Sequence, residues 1–204
     1  PAPMFLLSKL VNDHKIKVVV TGEGADEVLA GYDIFKEAQI RRFWAKHPDS
    51  AIRPLLLRKL YPDITNLGSV SGSYLKAFFG KDLADTDSPF YSHAIRWFNT
   101  SRTRRFFSPD LLSETNPDSL RLGPNGHQEP PAPPPAFKNW SSLAQAQYME
   151  ISIFLSQYLL SSQGDRVAMA HSVEGRFPFL DHRVVEYCNG LPPSLKLNGL
   201  IEKW

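Results

Sequence analysis

The chain has 204 residues, 42 % of them hydrophobic and 12 % aromatic, with a formal net charge of +2. That is enough for one sizeable domain or two small ones with a real core, at an ordinary soluble-protein composition. The charge is too small to argue for nucleic acid or an anionic membrane surface as a partner.

No run approaches the roughly 18 apolar residues of a spanning helix, and no secretory leader is legible. The expectation is a soluble cytoplasmic protein. The single cysteine, Cys188, cannot close an internal disulfide and agrees with a reducing compartment. The start at Pro1 without methionine, and the stop at Trp204 just after a Leu-Ile-Glu-Lys run that reads as a helix beginning, point to a fragment.

In chain order, MFLLSKLVNDH from Met4 sets Phe5, Leu6, Leu7, Leu10 and Val11 at helical spacing. His14-Lys15 interrupts it, and KVVV then gives the clearest strand, a β-branched run suited to burial on both faces in a parallel sheet. A Gly-rich turn follows, then a helix from about Ala25 through Arg41. Little downstream reads as strand. Ile52 to Leu60 and Ser73 to Phe79 read as short helices, and residues 101–135 are turn-rich. Their end, GPNGHQEPPAPPPAF, favours an extended surface loop. A helix from about Ser142 to Ser161 is apolar round most of its circumference and should be largely buried.

In the final third, Asp181 is placed as N-cap of a helix over 182–189, which Gly190 and Pro192 end. Cys188, four residues from Val184, falls on the buried face of that helix and reads as core, not nucleophile. No internal repeat stands out. The histidines show no metal-ligand spacing, and His171 and His182 read as structural.

The turn in VVVTGEGADEVLAGY carries most of the chemistry. A strand that ends in Gly-Glu-Gly and enters a helix puts backbone N–H groups at the carboxyl edge of a sheet, where α/β folds bind ligands and helix N-termini attract anions. Gly22 and Gly24 permit backbone angles and close approach that a side chain would forbid. Asp26 and Glu27 lie in the first helical turn and suit the positive end of the helix dipole. A phosphate bound beside them needs a bridging cation, for which Mg²⁺ held by one or two carboxylates and phosphate oxygens is the usual solution. Glu23, between the two glycines, has no capping role and suits electrostatics or proton handling at a reacting centre. The turn lacks the Lys-Ser or Lys-Thr of a Walker motif. It also lacks the third glycine of a dinucleotide fingerprint, Glu27 standing at that position.

VVVTGEGADEVLAGY resembles the second nucleotide motif in the synthetase domain of glutamine-dependent asparagine synthetases. DRVAMAHSVEGRFPFLDHRVVEYC resembles that family's Glu-x-Arg-x-Pro-Phe-Leu-Asp hallmark, and NGLIEKW resembles the start of the helix carrying its Glu-Lys pair. The three motifs stand in the right order between residues 18 and 203, and the resemblance covers essentially the whole chain, only loosely in the Pro-rich middle. The resemblance implies an α/β fold of the adenine-nucleotide alpha-hydrolase-like (ATP-pyrophosphatase) type, here the C-terminal portion of the synthetase domain over residues 1–204. The fragment should be mostly helical with at least one parallel-type strand.

It further implies ATP and Mg²⁺, aspartate as substrate, and ammonia from glutamine by way of an N-terminal glutaminase domain. Aspartate would become β-aspartyl-AMP with loss of pyrophosphate, and ammonia would give asparagine and AMP. Neither nucleic acid nor membrane is implied as a partner, and a homodimer of the full-length protein is left open. By matched position, Thr21 and Gly22 contact the nucleotide with Gly24, Glu23 serves the aspartyl-adenylate, Asp26 helps hold Mg²⁺ and pyrophosphate, and Lys203 meets developing negative charge. For Glu174 and Arg176 the readings are ligand binding or a buried ion pair that shapes the loop before Pro178, and the ion pair is preferred. Asp181 reads as a cap.

The family's Ser-Gly-Gly-x-Asp-Ser loop is absent: Ser71-Gly72-Ser73 does not match it, and SSQGD at 161–165 follows a helix. The glutaminase half is absent too. The fragment alone is therefore expected to bind ATP weakly and turn over nothing. Two rivals stand beside this reading. One is a sister amidotransferase or β-lactam-type synthetase that acts on another carboxylate. The other is a non-catalytic interaction module, which the joint presence of Glu23, Asp26 and Lys203 disfavours.

Overall fold

The computed structural model describes residues 2–60, 72–114 and 133–203. The chain forms two compact units: residues 1–32 with 147–204, and residues 33–146.

In the first unit, α1 (Ala2–Asp13) leads into β1 (Val18–Val20) and then the one-turn α2 (Ala25–Val28). The helix expected over 25–41 is in fact two. The chain breaks after Val28, and α3 (Asp33–Ala45) opens the second unit. The break has a local cause. Ala30 takes a left-handed φ of 58°, and Gly31 N–H donates to Asp26 O at 2.8 Å, which closes the turn before a second one can form.

The return of the chain begins in α7 (Ser142–Glu150), widens into a π-helical stretch over Ile151–Asp165, and tightens again in α8 (Arg166–Met169). The helix expected over 142–161 is thus present, but not as a buried rod. Only Leu155 of the π-helical stretch is buried. The wider i→i+5 turn spreads its apolar side chains round the axis instead of stacking them in one stripe.

β2 (Glu174–Arg176) pairs in parallel with β1, Val18 against Glu174 and Val20 against Arg176. The parallel strand expected from KVVV is therefore there, although burial on both faces is not. Val18 and Val20 are 36 % and 69 % exposed, because among the described residues β1 has β2 as its strand partner and one face left uncovered. Glu174 and Arg176 do form an ion pair, at 2.7 Å, but both are exposed: strand alternation turns both side chains outward, so the expectation of a buried pair fails. Asp181 caps α9 (His182–Gly190) by accepting the Arg183 N–H at 2.9 Å, and Cys188 is buried. His171 is structural, its Nδ1 2.8 Å from Ser8 Oγ and its ring edge-on to Phe5.

The chain then runs through α10 (Pro193–Lys196) into β3 (Leu197–Asn198) and β4 (Ile201–Glu202), an antiparallel hairpin with Leu197 opposite Glu202. A helix beginning in Leu-Ile-Glu-Lys is thus corrected to a hairpin. Gly199, at φ 61°, sits first in the two-residue loop, where a tight hairpin turn favours glycine.

The second unit holds α3, a 3₁₀ turn over Arg53–Lys59, α4 (Gly72–Phe79), α5 (Tyr91–Ser101) and α6 (Pro109–Glu114). Its core gathers Ile34, Phe35, Ile40, Trp44, Leu57, Leu75, Phe79 and Ile95. Arg41, 1 % exposed, stands among them and donates to three backbone carbonyls: Phe79, Lys81 and Tyr91. Buried cations persist when their donors are satisfied, and this one ties α3 to both ends of the loop between α4 and α5. Most of the proline-rich segment, like Ser71 and Trp204, lies outside the described residues.

Candidate functional site

The three motifs converge in the first unit. β1 carries the acidic turn on its carboxyl end, β2 supports β1 from the side, and Thr21 N–H extends the pairing by donating to Arg176 O at 3.0 Å. Beyond β2, the Phe-Leu-Asp run reaches beneath the turn. A Cβ on Gly24 would lie 2.4 Å from Leu180 Cδ2, and Gly24 has a φ of 93°. Gly24 is therefore glycine for conformation and for packing on Leu180. Gly22 differs: a Cβ there would meet nothing within 4 Å, so its backbone faces open space.

Within the turn the Thr21 hydroxyl donates to the Glu23 carboxylate. That contact orients Glu23 back over the strand end, beside the open backbone of Gly22. Asp26 points to the hairpin. Its Oδ1 is 2.6 Å from Lys203 Nζ, with the side chains 37 % and 47 % exposed. Lys203 reaches this position because the hairpin turns it back: its N–H donates to Lys196 O at 2.8 Å, and its own φ is 52°. Gly31 makes room for the pair. A Cβ there would stand 1.9 Å from Asp26 Oδ1 and 2.5 Å from Lys203 Cε.

Of the residues singled out in the sequence, Thr21 joins Glu23 and Asp26 joins Lys203. Gly22 borders the open side, while Gly24 is turned into the protein. Glu27, placed in the first helical turn by the sequence, gains partners that only the folded chain shows. Glu27 is 1 % exposed and accepts the Tyr32 hydroxyl at 3.0 Å. Burial pushes its carboxyl above the ordinary range, and burial likewise raises the Tyr32 phenol. Gln147 Nε2 donates to Glu27 O at 2.7 Å and Val28 O at 2.9 Å, holding the end of α2. Lys196 donates to the other end of the same amide, Gln147 Oε1, at 3.3 Å. Gln147 and Lys196 gave no signal.

Among the described residues no three His, Cys, Asp or Glu side chains cluster as a ready cation cage. One half-exposed carboxylate, Asp26, shared with a lysine, fits Mg²⁺ only in its phosphate-bridged mode, in which phosphate oxygens and water fill most positions. No described helix is long and apolar enough to cross a membrane. In the second unit a cleft of about 470 Å³ is lined by Tyr74, Phe78, Arg102, Arg105 and Phe106, none of them in the three motifs.

The family model described as asparagine synthase matches residues 1–204. Among similar curated proteins, "Amidase chyE" of Penicillium rubens is 33 % identical over 97 % of the chain and 29 % of its own length. "Amidase chry2" of Gibberella zeae is 30 % identical over the same shares. A "Putative asparagine synthetase [glutamine-hydrolyzing]" of Mycobacterium tuberculosis is 29 % identical over 99 % of the chain and 28 % of its own length. The chain thus spans under a third of the length of these relatives. No solved structure matches.

Proposed function

Because the chain belongs to the asparagine synthase family, we propose that the acidic turn and the hairpin lysine form part of the adenylation site of an ATP-dependent amide ligase. The observation that carries this reading is the 2.6 Å approach of Lys203 to Asp26, which joins the first and last motifs at the open edge of the turn. Packing alone gives little reason for it, since a half-exposed ion pair contributes about 0–1 kcal/mol.

In the reaction proposed, a carboxylate oxygen of aspartate attacks the α-phosphorus of ATP and pyrophosphate departs. Ammonia then attacks the acyl carbon, AMP leaves, and the amide of asparagine remains. Thr21 and the bare backbone at Gly22 border the nucleotide. Gly24 serves indirectly, through the turn conformation it allows. Lys203 is the cation that meets the negative charge growing on the departing phosphate, and a fixed cation in that role lowers the barrier. Asp26 is the residue that would hold Mg²⁺ with phosphate oxygens, the metal supplying charge neutralisation to the leaving group. Glu23, steadied by Thr21, accepts a proton from the attacking amine or holds that amine in place. In the full-length protein the ammonia would come from glutamine through a glutaminase domain, and the ATP-pyrophosphatase fold is part of the same proposal.

A second reading keeps the adenylation and changes the acceptor. Relatives named amidases align over the same span as relatives named asparagine synthetases, at 30–33 % against 29 % identity, so similarity does not select aspartate. Product analysis on the full-length protein with Mg-ATP, ammonia and a panel of carboxylates decides between them. Asparagine formed from aspartate supports the first reading, amide formed only from another acid supports the second, and AMP from none of the panel overturns both.

A further inference from the structure

Lys196 is 4 % exposed, and among the described residues its ammonium meets no carboxylate. Its side-chain hydrogen bond goes to the neutral Oε1 of Gln147. Burial pulls its pKa down from the lysine value, as expected for a cation kept from water without a counter-charge. A lysine in this setting weakens the fold relative to an apolar side chain of similar length. Stability does not explain it.

Its connections do. The backbone carbonyl of Lys196 accepts the N–H of Lys203 at 2.8 Å and so fixes the returning strand of the hairpin. Its side chain holds the amide of Gln147, whose Nε2 clamps the carbonyls of Glu27 and Val28 at the end of α2. One residue therefore touches both arms of the site: the hairpin that carries Lys203 and, through Gln147, the helical turn that carries Asp26. We propose that Lys196 is a positioning residue, a latch that with Gln147 sets the register between the hairpin lysine and the acidic turn. The effect on turnover rests on the adenylation reading above, but the mechanical coupling does not. Polar groups buried at a cost to stability and spent on geometry are a recognised trade in functional sites.

The test compares wild-type full-length protein with Lys196→Met, Gln147→Leu and the double variant. Amide hydrogen exchange is followed in segments 22–32 and 197–203, together with Tm and steady-state kinetics. Methionine fills the lysine's volume without its charge, so Lys196→Met should keep or raise Tm. Exchange should quicken in both segments, as local opening requires. The kcat should fall by about tenfold or more, since small misplacements of reacting groups are costly, with a smaller change in KM for ATP. The double variant should add little to either single one, as expected for two parts of one network. A lower Tm with unchanged exchange in segment 22–32 would overturn the latch and leave Lys196 a packing residue. If the wild-type protein releases no pyrophosphate with any carboxylate, the adenylation reading fails, while the exchange data still decide the coupling.

Discussion

Asp26 and Lys203 come from opposite ends of the chain and meet at 2.6 Å in a half-exposed setting. Because water screens such a pair, Lys203→Met should shift stability by no more than about 1 kcal/mol. Its effect on turnover should be far larger, about 10²–10³-fold in kcat, the range for losing one preorganised stabilising group. Chemical denaturation and initial rates on one preparation separate the two quantities. Gly31 offers a second lever on the same contact. An alanine Cβ would fall 1.9 Å from Asp26 Oδ1 and 2.5 Å from Lys203 Cε, both ends of movable side chains. Gly31→Ala should therefore leave the protein folded and spread the pair apart, lowering kcat by about 10²-fold. An activity within twofold of wild type would mean that this spacing does not matter to the chemistry.

At the scale of elements, α9 and α3 carry separate expectations. Asp181 accepts the Arg183 side chain and backbone N–H, and these bonds hold its carboxyl far below the ordinary aspartate range. A depressed carboxyl stabilises fully above its unfolded value and loses that contribution as pH falls through the folded one. Asp181→Ala should lower Tm at neutral pH, and the gap to wild type should narrow in acid. In α3, Arg41→Met would strip the side-chain donor from the Phe79 and Tyr91 carbonyls, both in buried bonds, and from the half-buried Lys81 carbonyl. At roughly 1–3 kcal/mol for each buried group left unsatisfied, a loss of about 2 kcal/mol or more is expected in urea unfolding. These elements also show what could be read in advance. The Asp181 cap was legible because a short acceptor before an apolar-periodic run is a local signal. β2 was not: Glu-Gly-Arg has no strand preference, and only pairing with β1 makes it a strand. The hairpin had its signal in Asn198-Gly199, but the helix-forming run after it argued the other way. Glu23 and Asp26 stood out because two carboxylates in a glycine turn need a reason. Lys196 and Gln147 owe their significance to burial, which no local pattern records.

Across the whole molecule, the family match runs from residue 1 to 204, and in the first unit three separated motifs fold onto one strand end. β2 props β1, Leu180 packs under Gly24, and the hairpin delivers Lys203 to Asp26. On the proposed reading, that convergence gathers at one strand end the groups suited to a polyanionic leaving group and an incoming amine. The most direct test is pyrophosphate release from Mg-ATP by the full-length protein with ammonia and aspartate, or another acceptor acid, in wild type and in Glu23→Ala. The account predicts carboxylate-dependent release that falls by about 10²-fold or more in the variant. Release that is independent of the carboxylate, or equal in the two proteins, would contradict it.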